Sequence, residues 1–211
     1  MQRIDTSRKA DIRYVIGSTG AGKSSYVKKE VAGDKRILIF DPDDEYGDIA
    51  GMVTVYNATD LLERVKAAKT SDLRIRLVAE GQKAFEFVCD VAFTWTNCTL
   101  IAEELADVTK PSFAPPAWGR VVRRGARKRN IRIFATTQRP ANADKVIFTQ
   151  ATMIRTGLLG NDTDRKTVAS EMDIPASEIG ALDELDFLEY HKRGRHLYGG
   201  NLKNDIYKKI N

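Results

Sequence analysis

Cysteine and histidine are scarce in this chain, and their scarcity limits the chemistry to be expected. The 211 residues include two cysteines, Cys89 and Cys98, and two histidines. These residues have neither the spacing nor the companion ligands of a zinc site. We therefore expect no metal cluster built on cysteine and histidine, and we expect both cysteines to be reduced core residues.

Long hydrophobic runs are also missing. No uninterrupted apolar stretch is long enough to span a bilayer, and none follows the N-terminal residues in the manner of a signal peptide. We find no internal repeat or low-complexity segment. The length suits one α/β domain with a substantial core, so we expect residues 1–211 to form a single domain of a soluble cytosolic protein.

One glycine-rich run stands out among the features that are present. It fits the pattern G-x-x-x-x-G-K-[ST] at every fixed position, with an apolar stretch before it and a helical segment after it. Glycines in such a loop let successive N–H groups and a helix N-terminus face phosphates. We predict that Lys23 serves the β- and γ-phosphates and Ser24 serves Mg²⁺. The predicted nucleotide-binding residues are Gly17, Ser18, Thr19, Gly20, Ala21, Gly22, Lys23, Ser24 and Ser25.

Short apolar runs alternate with helical patterns along most of the chain, which predicts an α/β fold with a central, mainly parallel sheet and helices on both faces. The segment 185–198, with Gly194 at a turn, predicts a C-terminal β-hairpin. For the helix over 161–172, Asp162 or Thr163 is the expected N-cap, and Asn57 or Thr59 is the expected N-cap of the helix that ends at Lys69. The predicted strands cover residues 12–16, 36–40, 53–56, 74–78, 98–102, 131–135 and 152–156, and the other main helices cover 57–69, 84–95 and 118–129.

Polar residues follow three of the predicted strands. After the strand at 98–102, Glu103 can hold the Mg²⁺ shell and Glu104 can polarise the attacking water, although an exposed pair stabilised by a helix dipole is the alternative. Gln138 follows another strand, and its amide can sense a γ-phosphate. The acidic run at 41–45 is either a solvated loop or part of the same site.

Basic residues are concentrated between residues 120 and 139, where no acidic residue occurs. Helical periodicity places Arg120, Arg123, Arg124 and Arg127 along one face. Such a face can supply an arginine finger to a neighbouring subunit or contact the nucleic-acid backbone, although a solvated surface is the simpler alternative. The candidate DNA contacts are Arg120, Arg123, Lys128, Arg129, Arg193 and Arg195.

The order of these motifs resembles the FtsK–HerA superfamily of P-loop ATPases. The blocks that carry the resemblance are residues 17–24, 41–46, 99–107 and 123–140, and they span most of the chain. The resemblance implies a RecA-like (ASCE) fold, ATP and Mg²⁺ as cofactors, and a homo-oligomeric ring, hexameric or pentameric, that moves double-stranded DNA. It also implies that Lys23 and Glu103–Glu104 are catalytic, that Ser24 and Glu103 serve the metal, and that Gln138 is the polar sensor.

The same resemblance implies an intersubunit arginine in the basic helix, with Arg127 as the first choice and Arg124 as the second. The chain lacks the membrane segments of FtsK and the N-terminal barrel of HerA. In this it is similar to the genome-packaging ATPases of tailless, membrane-containing icosahedral DNA viruses. That similarity implies a motor in the host cytoplasm, docked at a packaging vertex on virion or membrane proteins.

Three other functions stay open at this level. A cellular or conjugative DNA translocase has the same motifs. A P-loop kinase would use the loop at 107–116 as a lid, and a nucleotide-gated binding module would bind ATP with negligible hydrolysis.

Overall fold

The computed structural model describes residues 9–210, and its centre is a ten-stranded sheet. The strands are β1 (Ile12–Ile16), β2 (Arg36–Phe40), β3 (Met52–Val55), β4 (Leu73–Leu77), β5 (Cys98–Ala102), β6 (Ile131–Thr137), β7 (Met153–Thr156), β8 (Asp186–His191), β9 (His196–Asn201) and β10 (Ile206–Lys209). The helices are α1 (Lys23–Val31), α2 (Ala58–Ala68), α3 (Gln82–Trp95), α4 (Leu105–Val108), α5 (Pro116–Arg120), α6 (Ala126–Lys128), α7 (Lys145–Gln150), α8 (Asp162–Met172) and α9 (Ala176–Gly180).

The strand order is β10-β9-β8-β7-β1-β6-β5-β2-β4-β3. All neighbouring strands from β7 to β3 are parallel, whereas β8, β9 and β10 add to the sheet in antiparallel orientation. This arrangement confirms the predicted mainly parallel sheet and C-terminal hairpin. The hairpin is extended by β10, which the sequence pattern did not predict.

Helices cover both faces of the sheet, as predicted. Tyr14, Leu38 and Leu100 belong to the larger core, which includes buried residues of α2, α3 and α7. Val15 and Ile39 point to the opposite face, where they share a smaller core with residues of α1. Successive strand residues alternate between the two cores because side chains in a strand point to opposite faces. Burial on both faces explains why these strands are almost wholly apolar in sequence.

Local sequence signals set most helix boundaries. The side chain of Asn57 caps α2 by accepting a hydrogen bond from the Asp60 N–H at 2.9 Å. Asn57 is one of the two residues predicted for this cap. The expected cap of α8 was wrong by one or two residues, because Asn161 accepts from the N–H groups of Thr163 and Asp164. Asn161 has the extended backbone that an N-cap requires, whereas Asp162 is already helical.

The basic segment predicted as a helix over 118–129 is helical from α5 through α6, but its centre is a π-helical turn, Val121–Gly125. A π-turn inserts a residue into the helical repeat and rotates the residues on its C-terminal side. The basic residues therefore do not form the single straight stripe that a 3.6-residue period predicts.

Both cysteines are buried and free, as expected. Among residues 9–210, no helix combines the length and the apolar character needed to cross a membrane.

Candidate active site

The polar segments singled out in the sequence meet at one edge of the sheet. Strands β1, β6, β5 and β2 are parallel neighbours in that order. Their carboxyl ends are level, since Ile16 pairs with Thr137 and Phe40 pairs with Ala102. The glycine-rich loop, the acidic run at 41–45, the pair Glu103–Glu104 and Gln138 follow these strands and therefore share this edge, where α/β sheets bind ligands.

The glycine-rich loop depends on backbone conformations that other residues adopt poorly. Gly20 and Gly22 have φ angles of 80° and 79°. A Cβ atom on Gly22 would lie 2.5 Å from the end of the Leu202 side chain, so a substitution there would strain the backbone and displace Leu202. Gly22 immediately precedes α1, whose first residue is the buried Lys23. The loop thus presents the N-terminus of α1 at the edge, as phosphate binding requires.

Glu103 is almost fully buried just after β5. Its carboxylate accepts a hydrogen bond from the Tyr46 hydroxyl at 2.5 Å. Burial raises the pKa of Glu103 to about 7, although hydrogen bonds from Tyr46 and Thr136 and the charge of Lys23 oppose the shift. The carboxyl group therefore sits where a nearby cation would strongly favour its ionised form.

Glu104 is held in a strained conformation by neighbouring groups on β6. Its φ of 44° lies in the left-handed region, which is uncommon outside glycine and clusters at active sites. The Thr137 hydroxyl donates to Glu104 Oε1 at 2.6 Å, and the Gln138 N–H lies 3.0 and 3.1 Å from its two carboxylate oxygens. Burial raises the pKa of Glu104, while these hydrogen bonds oppose the shift. The structure thus fixes the position of this carboxylate.

Gln138 connects the glycine-rich loop with Glu104. Its side-chain oxygen accepts a hydrogen bond from the Thr19 hydroxyl at 2.9 Å, and its backbone N–H donates to the Glu104 carboxylate. Because β6 lies between β1 and β5, Gln138 stands between the loop and the acidic pair. A change at the loop can therefore reach Glu104 through one residue.

The acidic run belongs to this site as well, which decides between the two alternatives left open by the sequence. The Ser24 hydroxyl donates a hydrogen bond to Glu45. Asp41, fully buried, fixes this loop by accepting from the backbone N–H groups of Glu45 and Tyr46 at 2.9 and 3.1 Å. Arg76 neutralises Asp41 at 2.7 Å. Sequence reasoning missed the contact between Ser24 and Glu45, although the acidic run itself was the available signal.

The donor set at this edge suits magnesium. The hydroxyl of Ser24 and the carboxylates of Glu45 and Glu103 are hard oxygen donors, which Mg²⁺ prefers. Among residues 9–210, no group of three or more His, Cys, Asp or Glu side chains is arranged to hold a metal alone. Mg²⁺ commonly binds through one or two protein ligands, substrate phosphates and water.

The basic helical segment leads away from this edge. The backbone carbonyl of Arg129 accepts a hydrogen bond from the N–H of Asn97, the residue before β5, at 2.9 Å. The end of α6 therefore lies at the amino edge of the sheet. Arg127, on α6, is near the edge opposite to its own glycine-rich loop.

The basic residues of this segment differ in their partners. Arg120 pairs with Asp90, and the guanidinium groups of Arg120 and Arg129 lie over the Phe93 ring at 5.2 and 4.8 Å. By contrast, Arg124, Arg127 and Lys128 of this segment are exposed and have no hydrogen-bonding or ionic partner among the described residues. Arg123 is also exposed, and its positive charge opposes the rise in the pKa of Asp144 that burial causes.

Arg193 and Arg195 occupy the turn between β8 and β9. This turn lies at the amino edge, because the end of β8 pairs with the start of β7 through His191 and Met153. Both arginines are exposed, and Arg195 pairs with Asp173 at 2.6 Å. These two candidates therefore lie far from the glycine-rich loop, at the same edge of the sheet as α6.

Comparison with known proteins gives a consistent picture. A family model for the central domain of the helicase HerA matches residues 14–108. Protein P9 of Pseudoalteromonas phage PM2 is 28% identical over 191 residues, which are 88% of this chain and 85% of P9.

Solved structures match the fold over most of the chain. The genome-packaging NTPase B204 of Sulfolobus turreted icosahedral virus 2, in complex with AMPPCP, has a TM-score of 0.75 at 16% identity, covering 91% of this chain and 97% of B204. The pCW3 conjugation coupling protein TcpA, with ATPγS, has a TM-score of 0.55 at 13% identity, covering 89% of this chain and 59% of TcpA. The predicted P-loop NTPase fold and the predicted resemblance to FtsK–HerA and viral packaging ATPases are confirmed.

Proposed function

We propose that this chain, which resembles the FtsK–HerA superfamily of P-loop ATPases in motif order, family model and fold, uses ATP hydrolysis to move double-stranded DNA. The observation that carries the proposal is the separation of two groups of residues. A glycine-rich loop, two positioned acids and a polar sensor share one sheet edge, whereas Arg127, which has no ionic partner among the described residues, lies near the other. Such a chain completes its ATP site by contact with a second copy.

Lys23 and the backbone N–H groups of residues 17–24 hold the phosphates of ATP. Glu104 orients and polarises the attacking water. Its raised pKa suits a general base, and its hydrogen bonds from Thr137 and Gln138 keep the carboxylate in place. Gln138 reports the state of the γ-phosphate to Glu104, since it contacts Thr19 of the loop.

Ser24 and Glu103 would hold Mg²⁺, which would neutralise negative charge on the phosphates of ATP. Glu103 has one methylene more than the aspartate that usually takes this role. The Tyr46 hydroxyl holds the longer side chain by donating a hydrogen bond to one of its two carboxylate oxygens.

Arg127, with Arg124 as the second choice, completes the ATP site of the neighbouring subunit. A strand of five residues is about 17 Å long, so an arginine at the amino edge cannot reach the γ-phosphate bound at the carboxyl edge of its own chain. Contact in trans makes a head-to-tail interface, and such interfaces generate a ring of identical subunits when the rotation between subunits closes. We expect that ring to be a hexamer or a pentamer.

The remaining basic residues contact the DNA backbone. Phosphate contact requires positive charge more than sequence reading, and exposed cations free of acidic partners provide it. The candidates stay Arg120, Arg123, Lys128, Arg129, Arg193 and Arg195, although Arg120 and Arg195 are less available because each pairs with an aspartate.

The biological setting that we propose is genome packaging in a virus. The viral origin of P9 and the genome-packaging role of B204 support this setting over a cellular or conjugative translocase. The motor would then work in the host cytoplasm, at a packaging vertex formed by virion or membrane proteins.

The test is ATP turnover of the wild type, Lys23→Ala and Glu104→Gln with and without duplex DNA, together with the mass of the assembly. We expect DNA to stimulate the wild type, with a stimulation that weakens as salt rises. Both variants should lose turnover, whereas Glu63→Gln, an exposed residue of α2, should not. Turnover that duplex DNA leaves unchanged over a range of salt would contradict the translocase. Transfer of phosphate to an acceptor other than water would favour the kinase instead.

A further inference from the structure

The geometry points to Glu45 as a positioning residue for magnesium-bound ATP, which it serves by holding the hydroxyl of Ser24. The family resemblance assigned the metal side of the site to Ser24 and Glu103 alone. The inference rests on the proposed function, since it concerns the same ATP site.

The direction of the hydrogen bond between Ser24 and Glu45 is what makes this role possible. The hydroxyl of Ser24 donates its proton to Glu45 Oε2. A serine hydroxyl has one proton and two acceptor lone pairs, so donation to Glu45 leaves both lone pairs for a cation. The bond can therefore persist when Mg²⁺ is bound, and it fixes the hydroxyl in the orientation that ligation requires.

Glu45 is itself held in place by the fold. Its backbone N–H donates to Asp41 at 2.9 Å, and Asp41 is buried against Arg76 at 2.7 Å. The next residue, Tyr46, is fully buried and donates to Glu103. Consecutive residues of one loop thus support both predicted magnesium ligands, one on α1 and one after β5.

A competing role for Glu45 is that of a latch. In that role the Glu45 carboxylate accepts the hydrogen bond from Ser24 only while the site is empty, and ATP must displace the carboxylate to bind. The two roles predict opposite effects of neutralising Glu45. Loss of a positioning residue weakens magnesium-dependent binding, whereas loss of a latch strengthens it.

The experiment measures binding of a fluorescent ATP analogue to the full chain, in EDTA and during titration with MgCl₂, without DNA. For Glu45→Gln we expect unchanged affinity in EDTA, because the glycine-rich loop still holds the phosphates. The Mg²⁺ concentration for half-maximal effect should rise by about 10- to 100-fold, the usual cost of removing a residue that orients a metal ligand. Unchanged affinity in EDTA also shows that the variant is folded.

Two further variants separate the effect of the negative charge of Glu45 from the effect of its side-chain length. Glu63→Gln removes one negative charge at an exposed residue of α2, outside the site, and it should titrate like the wild type. Glu45→Asp keeps the charge but shortens the side chain, and its titration should fall between those of the wild type and Glu45→Gln.

If wild-type binding depends on Mg²⁺, three outcomes would overturn this inference without affecting the proposed function. They are a titration of Glu45→Gln equal to the wild type, a tighter one as the latch predicts, or an equal loss in Glu63→Gln. Wild-type binding that is indifferent to Mg²⁺ would overturn the proposed ATPase as well. Because the assay contains no DNA, failure of DNA stimulation leaves its result unaffected.

Discussion

Replacing Arg76 by methionine should destabilise the chain strongly and loosen the loop that carries Glu45. Asp41 is fully buried, and Arg76, whose side chain is 7% exposed, is its ionic partner at 2.7 Å. Removing one member of a buried ion pair leaves an uncompensated charge, which costs about 3 to 5 kcal/mol. For a domain of this size, each kcal/mol lowers the melting temperature by about 2 to 4 °C, so we expect a decrease of about 6 to 20 °C.

Urea unfolding of Arg76→Met, Asp41→Asn and the double variant measures this cost directly. The double variant should be more stable than the sum of the single losses predicts, with a coupling energy of at least about 1 kcal/mol. Asn keeps an acceptor for the backbone N–H of Glu45 or Tyr46, so the loop survives in part. A loss below about 1 kcal/mol in Arg76→Met, or strict additivity, would refute the assignment of Asp41 as a buried charge that depends on Arg76.

Three further predictions concern parts of the chain away from the candidate site. Burial raises the pKa of Glu189, but hydrogen bonds from His191 and Arg155 outweigh it, so the folded-state pKa lies below the ordinary 4.5. The ionised Glu189 stabilises the folded chain above pH 4.5, and this contribution is lost as the pH falls through the folded-state pKa. The urea midpoint of Glu189→Gln should therefore fall less steeply in acid than that of the wild type. Parallel profiles of the two proteins would contradict this prediction. Asp144→Ala removes the N-cap of α7 and leaves the N–H groups of Val146 and Ile147 without their acceptor. Urea unfolding should therefore show a loss of about 2 to 4 kcal/mol in the free energy of unfolding. A loss within error of zero would contradict the buried cap. Burial raises the pKa of Cys98 to about 12, so a thiol reagent should label this cysteine only after the chain unfolds. Rapid labelling of Cys98 in the folded chain would disprove its burial.

The sequence was most informative where the chemistry is local. The glycine-rich loop, the cap at Asn57 and the apolar strands each depend on neighbouring residues in the chain, and all are found where predicted. The apolar stripe of α3 is typical of core packing, and its residues Phe85 and Val88 are fully buried. Periodicity and turn chemistry suffice for such elements because the interactions that stabilise them lie within a few residues.

Contacts between distant segments were harder to predict. The bond from Ser24 to Glu45 and the bond from Tyr46 to Glu103 require that β2 lie beside β5, which composition and periodicity do not reveal. The π-turn in the basic segment escaped prediction for a different reason, since a helical sequence period does not reveal where an extra residue is inserted into the helix. Strand order and packing therefore account for the part of the site that sequence reasoning missed.

The most direct test of an ATP site shared between subunits is complementation between two inactive variants. Glu104→Gln keeps the arginine and lacks the acid, whereas Arg127→Ala keeps the acid and lacks the arginine. If ATP is hydrolysed at a shared site, mixing the two variants should restore DNA-stimulated turnover at about a quarter of the interfaces of a random ring. Turnover of the mixture that stays at the sum of the two separate variants would contradict the shared site.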